Sequence, residues 1–267
     1  MPLAVCATPI GNLDDVTIRV LDELRAADVV LCEDTRHTRG LLERHSIRAR
    51  LLSYHEHNES KRTAELLPRL LAGERMALVS DAGMPAISDP GARLVGAALE
   101  AGVAVTVLPG ASAVDTALVA SGLTSERYQF LGFLPRGKAA LAAVWEELRA
   151  WPFAAVAFES PQRLPATLRS LADAQPDRVV AVCRELTKVH EEVVRGTATE
   201  VAERFAEPPR GEITLVVGPG TGPPADLAAA AAAVAELVAD GVSRRRAAEV
   251  VARLTGASRN ELYRRTL

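Results

Sequence analysis

Apolar residues along the first 120 positions fall into short β-type runs at 3–7, 28–32, 51–53, 76–79 and 103–108, separated by stretches with helical spacing. After the first run Val16, Val20, Leu21, Leu24 and Ala27 recur on one helical face, and after the second a helix passes through Leu41 and Leu42. Residues 59–71 form a third helix, a fourth runs from Ala92 towards Gly102, and Ser112 with Asp115 forms a capping box for a fifth that ends at Gly122. Strands alternating with helices in this way predict a mostly parallel sheet covered on both faces. The pattern restarts after Thr124, where 129–133, 154–158, 179–183 and 213–217 read as four strands, with helices at about 138–149 and 165–174. The expected organisation is α/β: one domain over 1–120, a second over 125–218, and a helical tail over 225–267. The turn-rich segment Gly218-Pro219-Gly220-Thr221-Gly222-Pro223-Pro224 marks the boundary before the tail. Ser243 opens a tail helix that reaches Leu254, and beyond Gly256 the pair Ser258 and Glu261 makes a second capping box, giving a helix-turn-helix-like pair.

The run from Ser80 to Gly91, Ser-Asp-Ala-Gly-Met-Pro-Ala-Ile-Ser-Asp-Pro-Gly, is the most shaped loop in the chain. Pro85 and Pro90 push Met84 and Asp89 out of the helical region, while Gly83 and Gly91 allow backbone conformations and close approaches that a β-carbon blocks. Asp89 reads as the N-cap and Pro90 as the first residue of the helix that follows. Residues 80–87 are longer and more polar than a plain connection of about 2 to 6 residues, and loops at the carboxyl ends of strands line the ligand crevice of open α/β sheets.

Composition narrows the classes. The chain has 267 residues, 48% apolar and 24% charged, with a net charge of -3, which argues for globular structure and against wholesale binding of a polyanion. Cys6, Cys32 and Cys183 are odd in number and lie inside apolar runs, which suits reduced core thiols and a cytoplasmic location. The first residues lack the charged start of a signal peptide. The alanine-rich stretch 225–239 carries acids and is short for a membrane span, so no membrane partner is expected. Neither G-x-x-x-x-G-K-[ST] nor G-x-G-x-x-G follows any predicted strand, so ATP and NAD are not expected.

Three strand-end loops rich in Gly, Pro and small hydroxyls remain, at 8–13, 80–87 and 109–113. They suit a nucleoside-like ligand carrying an amino acid, such as S-adenosylmethionine with its carboxylate near the helix that starts at Ser112, and they suit other small ligands too. Glu33-Asp34-Thr35-Arg36-His37-Thr38-Arg39 could hold a substrate as a group, although Asp34 is also a good N-cap and Arg36 and Arg39 could be plain solvated cations. His55 and His57 in His-Glu-His do not match the His-Glu-x-x-His zinc pattern, so a metal site is not expected, and a loop at the mouth of the site is the better reading. Glu159-Ser160-Pro161-Gln162-Arg163 repeats the strand-end pattern in the second domain, where a plain turn competes. In the tail Arg244, Arg245, Arg246, Arg253, Arg259, Arg264 and Arg265 exceed what solubility needs and suit phosphate contacts in RNA. At 4% aromatic residues, a stacking platform for bases is not expected.

The runs Ala7-Thr8-Pro9-Ile10-Gly11-Asn12-Leu13, Glu33-Asp34-Thr35-Arg36, Ser53-Tyr54-His55-Glu56-His57-Asn58, the loop at 80–91, Pro109-Gly110-Ala111-Ser112-Ala113, Phe158-Glu159-Ser160-Pro161 and Gly211-Glu212-Ile213-Thr214-Leu215-Val216 resemble the bacterial 16S rRNA ribose 2'-O-methyltransferases of the tetrapyrrole methylase superfamily. The resemblance runs through the tail, to Arg259-Asn260-Glu261-Leu262-Tyr263. It implies two α/β domains with S-adenosylmethionine in the cleft between them, a homodimer, and a cytidine ribose of 16S rRNA in the small ribosomal subunit as substrate, with no DNA partner. Carried over by motif, the cofactor would touch Ile10 and Leu13, then Gly83, Met84, Pro85 and Ile87, then Ser112 and Ala113, and Phe158 and Thr214 from the second domain. Met84 stands where tetrapyrrole-directed relatives have the aspartate of a Gly-Asp-Pro, so that acid's role does not transfer. Asp34 and Asp81 are the candidates for a base that removes the hydroxyl proton, with His37 behind them. Arg36, His37, His55, Arg163 and Arg245 are the candidate substrate contacts. A methyltransferase acting on a tetrapyrrole ring and a non-catalytic RNA-binding assembly factor are the rival readings.

Overall fold

The computed structural model describes residues 2–220, 227–255, 257 and 259–266. In the first half, β1 (Leu3–Cys6), β2 (Val29–Cys32), β3 (Leu51–Ser53), β4 (Met76–Leu78) and β5 (Val105–Leu108) alternate with α1 (Ile18–Ala26), α2 (Thr35–Arg44), α3 (Glu59–Leu71) and α4 (Ala92–Glu100). The five strands form one parallel sheet in the order β3-β2-β4-β1-β5. Adjacent residues in a strand point to opposite faces, and here both faces are buried. Leu3, Val5, Val29 and Leu31 pack with Leu66, Leu70 and Leu94 of α3 and α4. Ala4, Cys6, Val30 and Cys32 pack the other way, on Val20 and Leu24 of α1 and Leu41 and Leu42 of α2. The three cysteines are free and buried.

α5 (Ala113–Ala120) leads into the second half, where β6 (Tyr128–Phe133), α6 (Lys138–Ala150), β7 (Ala154–Glu159), α7 (Leu164–Ala174), β8 (Val179–Arg184), β9 (Glu192–Thr197), α8 (Ala198–Arg204) and β10 (Ile213–Val217) follow. Their sheet runs β6-β7-β10-β8-β9, with β6 parallel to β7 and the remaining pairs antiparallel. One face packs on α6, α7 and α8 around Trp145, Leu164, Leu168 and Val201. On the other face Ala154, Val156, Ala181 and Val216 meet Ala117 and Leu118 of α5 and also Ile10, so this core joins the two halves. The strand β9 and helix α8 were not legible as elements. Two adjacent valines break the period-two alternation of β9, which is an edge strand, and α8 has only 7 residues.

Two cap assignments need correction. Asp89 does not cap α4: the N-cap is Gly91 at φ 137°, so the helix starts two residues later than the proline pattern implies. Ser112 does cap α5, accepting from the Asp115 amide, but the box is not reciprocal, because the Asp115 carboxylate instead accepts from the Tyr128 hydroxyl at 3.0 Å. The described residues of the tail form α9 (Leu227–Ala239) in the alanine-rich stretch, followed by the expected pair α10 (Arg244–Thr255) and α11 (Arg259–Arg265), around Ala230, Val234, Ala247, Val251 and Leu262. The expected Ser258 cap and residues 221–224 of the expected linker lie outside the described residues. No helix among the described residues is long and apolar enough to cross a membrane.

Candidate active site

Three loops leave the carboxyl ends of the adjacent strands β4, β1 and β5, and main-chain hydrogen bonds knit them together. Thr8 and Gly83 exchange two, Thr8 N to Gly83 O at 2.8 Å and Gly83 N to Thr8 O at 3.1 Å. The buried hydroxyls of Thr8 and Ser80 reinforce that link by donating to Ser80 O at 3.0 Å and Gly83 O at 3.1 Å. A β-carbon on Gly110 would stand 2.9 Å from the Ala7 β-carbon, so the third loop presses on the first at a distance only glycine tolerates. The second loop is tightly wound. Ala86 and Ser88 sit at φ 67° and 64°, left-handed conformations that cost a non-glycine residue about 1 to 2 kcal/mol each.

Facing these loops is a row of cross-strand neighbours on the second sheet, Phe158 on β7, Thr214 on β10 and Cys183 on β8. Between the two walls lies a cavity of about 610 Å³. Ile10, Gly83, Met84, Ile87, Ser112, Ala113, Phe158 and Thr214 all line it, together with Asp81. The set is mostly apolar, with backbone and a few hydroxyls as polar groups, which is the make-up of a pocket for a small organic ligand.

Acids line the cavity from both halves: Asp115, Glu159 and Glu212 are engaged by Tyr128, Arg163 and Lys188, and two more lie on the loop after β4. These two are Asp81 and Asp89, and burial, reinforced by the facing Glu33 and Asp81 carboxylates, pushes the Asp89 carboxyl up to about 6. Burial also raises Glu33, with Asp81 adding to the effect and His55 opposing it. Asp81 accepts from the Asp34 amide at 3.2 Å, which fixes it at the end of β2.

Other sequence candidates lie elsewhere. Leu13 packs against the α1 and α2 side of the first sheet, with its carbonyl 3.0 Å from His45 Nε2, and Pro85 is buried without lining the cavity. Asp34 is outside the cavity: it caps α2 and is gripped by Arg36 through two side-chain bonds of 3.1 and 2.7 Å, which hold its carboxyl down at about 2. A carboxylate so committed is a poor base, and the same pairing occupies Arg36. His37 is exposed on α2, and His55, half-buried near Glu33, stacks edgewise on His57 at 5.9 Å. Arg163 is structural rather than substrate-facing. It reaches the fully buried Glu159 carboxylate at 3.2 Å and donates to the Leu134 and Pro135 carbonyls. Arg245 borders a separate cleft of about 400 Å³ on the tail, with Arg259, Asn260, Tyr263 and Arg264.

Several cavity residues gave no sequence signal. Cys183 enters by cross-strand register, and burial pushes its thiol up to about 12, so it serves as an apolar wall. Phe130, Phe133 and Tyr128 come from β6, and Phe130 and Phe133 lie edge-to-face on Phe158, with centroids 5.0 and 5.5 Å away. The rim of the second half bears Lys188, bonded to Glu185 and Glu212 at 2.9 and 2.6 Å.

Against known families, residues 2–202 match the model for Tetrapyrrole (Corrin/Porphyrin) Methylases. The chain belongs to that family. Among curated proteins this methylase is 50% identical over 166 residues to "Ribosomal RNA small subunit methyltransferase I" of Halalkalibacterium halodurans, covering 62% of this chain and 57% of that one. It is 48% identical over 172 residues to the protein of that name from Mesorhizobium japonicum, covering 64% and 58%. The chain thus spans somewhat over half the length of these two relatives. The Thermotoga maritima protein of that name is 47% identical over 174 residues, covering 64% of this chain and 77% of its own length. Solved structures share the fold: uroporphyrin-III-C-methyltransferase from Thermus thermophilus has a TM-score of 0.59 at 22% identity, covering 81% of this chain and 93% of that one. Another structure of the Thermus enzyme, complexed with S-adenyl homocysteine, has a TM-score of 0.56 at 20% identity, covering 81% and 96%.

Proposed function

We propose that this methylase transfers a methyl group from S-adenosylmethionine to the ribose 2'-hydroxyl of a cytidine in 16S rRNA of the small ribosomal subunit. The observation that carries the reading is the cavity between the two sheets, mostly apolar, with glycine main chain and small hydroxyls in its lining and the Asp81 and Asp89 carboxylates on one loop. The name of the relatives at 47–50% identity supports small-subunit ribosomal RNA as the acceptor, and the cytidine ribose follows from the motif resemblance.

The residues present fit the donor. Gly83, at φ 76°, keeps the floor bare where a side chain would otherwise stand, 3.6 Å from Ile10. Ile10, Met84, Ala113 and Phe158 would hold the apolar parts of the donor. Ser112, whose oxygen already accepts from the Asp115 amide, still has a hydroxyl proton to give, and it stands at the start of α5, where a carboxylate is favoured. When bound, S-adenosylmethionine supplies an activated methyl on a cationic sulfur. The protein's part is to hold the acceptor oxygen in line with that methyl, an arrangement that can supply several kcal/mol of the barrier. Asp81 keeps its place as a candidate base, and Asp89 joins it: as the methyl moved from sulfur to the acceptor oxygen, leaving a neutral thioether, the hydroxyl proton would pass to a carboxylate whose proton affinity lies near neutrality. The cleft at Arg245, Arg259 and Arg264 would take phosphates of the rRNA.

A homodimer in the cytoplasm belongs to the same reading. β5 is an edge of its sheet, and Val107 on it, with Leu99 and Val119 on the neighbouring helices, is exposed. Incubation with labelled S-adenosylmethionine and small subunits from cells that lack the enzyme tests the proposal, with mapping of the modified position. Label on a cytidine ribose is expected, and label on a base, or no transfer, would refute it.

A further inference from the structure

Strand β6 contains an irregularity that the proposed reaction has not used. Residues three apart on a regular strand face opposite ways. Here Phe130 pairs with Val156 and Phe133 with Phe158, so three steps on β6 oppose two on β7, and Gly132 takes φ 64°. This is a β-bulge, a device that re-aims side chains. Its effect is visible on both faces: Leu131 and Leu134 both enter the core under α6 and α7, while Phe130 and Phe133 both line the cavity. Phe158 lies between the two rings.

The three rings are not equivalent. Phe130 and Phe158 are half-buried, whereas Phe133 is 62% exposed although it belongs to the cavity wall. The residues expected to hold the donor include Ile10 and Thr214, 7% and 5% exposed, and Ile87, 54% exposed, so the cavity runs from a buried floor to an open side, and Phe133 stands on the open side. A β-carbon on neighbouring Gly132 would lie 3.9 Å from the Ser88 hydroxyl, next in sequence to Asp89 on the opposite wall. An open aromatic ring next to a strand glycine that faces the Ser88–Asp89 loop suits a flat group arriving from solvent. Single-stranded RNA is commonly read in this way, with bases splayed out and stacked on aromatic rings.

We propose that the Phe133 ring, set by the bulge against Phe158, is the surface on which the unpaired pyrimidine base of the acceptor nucleotide stacks, so that its ribose lies towards Asp81 and Asp89. This inference rests on the rRNA methylation reading and adds a positioning residue to it.

The test compares the wild-type chain with Phe133→Leu and Phe133→Tyr, using small subunits from cells lacking the enzyme and labelled S-adenosylmethionine. For Phe133→Leu, KM for small subunits is expected to rise about tenfold, within the range of one lost base–aromatic stack, with kcat and calorimetric affinity for S-adenosylmethionine unchanged. Phe133→Tyr, which keeps the ring, is expected to restore KM. Unchanged KM in Phe133→Leu beside an active wild type would overturn the platform and leave the reaction standing. Weakened S-adenosylmethionine binding would overturn it too, by assigning the ring to the donor. A wild-type chain that transfers no methyl to small subunits would refute the underlying reaction and the platform with it.

Discussion

Asp89 shows how a single position can read one way in sequence and another in space. Its place before Pro90 suggests a helix cap, but the helix begins at Ala92, and the carboxylate is left facing the cavity with no cation or hydrogen-bond donor among the described residues. Burial and the facing Glu33 and Asp81 hold it up to about 6. The folded state therefore binds the proton more tightly than the unfolded chain, and stability falls as pH rises from about 4 to about 6. Denaturant melts across that window are expected to show this loss in the wild type and a flatter profile in Asp89→Asn. In single-turnover methylation, a base at this site gives a rate that climbs towards pH 6 and levels above it. Asp89→Asn is expected to remove that limb and to slow transfer about 100-fold. If its profile matches the wild type, the proton goes elsewhere.

At the scale of elements, local pattern was informative wherever an element made its own case. The amphipathic stripe of α3 ends at Glu59 and Leu71, where the sequence places it, and β10 spans Ile213 and Val217 as its apolar run predicts. What escaped depends on partners distant in sequence. Cys183 reaches the cavity only because β8 lies beside β10, and the face Phe133 takes is set by a bulge that no local spacing encodes. Arg163 shows the converse: a cation at a strand end looked like a substrate contact, yet it neutralises a carboxylate with no exposed surface. Arg163→Met is expected to destabilise the protein by about 3 kcal/mol in urea melts, because Glu159 would stay buried without its cation. The second loop is equally constrained. A β-carbon at Gly91 would stand 2.8 Å from the Leu78 side chain at φ 137°, so Gly91→Ala is expected to cost about 2 kcal/mol in the same assay.

For the whole molecule, the two sheets and the tail divide the work along lines that the alternation of strands and helices foreshadowed, although the antiparallel pairing of the second sheet came only with the structure. The basic cleft lies on a three-helix unit with its own core, so its charge can be tested apart from the cavity. Replacing Arg245, Arg259 and Arg264 together by Gln is expected to weaken binding to small subunits and to flatten the plot of log affinity against log salt by about 2 to 3, with S-adenosylmethionine affinity unchanged. An unaltered salt slope would remove the tail from the RNA interface.

The point where the chain leaves the second sheet is tied down. The buried guanidinium of Arg178 donates to the Gly218 carbonyl at 2.8 Å, and Gly220 donates to the Trp151 carbonyl at 2.7 Å in a niche with no room for a β-carbon. Gly218 and Gly220 are therefore anchored to the chain just ahead of β8 and β7, which moors the exit from the second sheet to the strand ends farthest from Phe158 and Thr214.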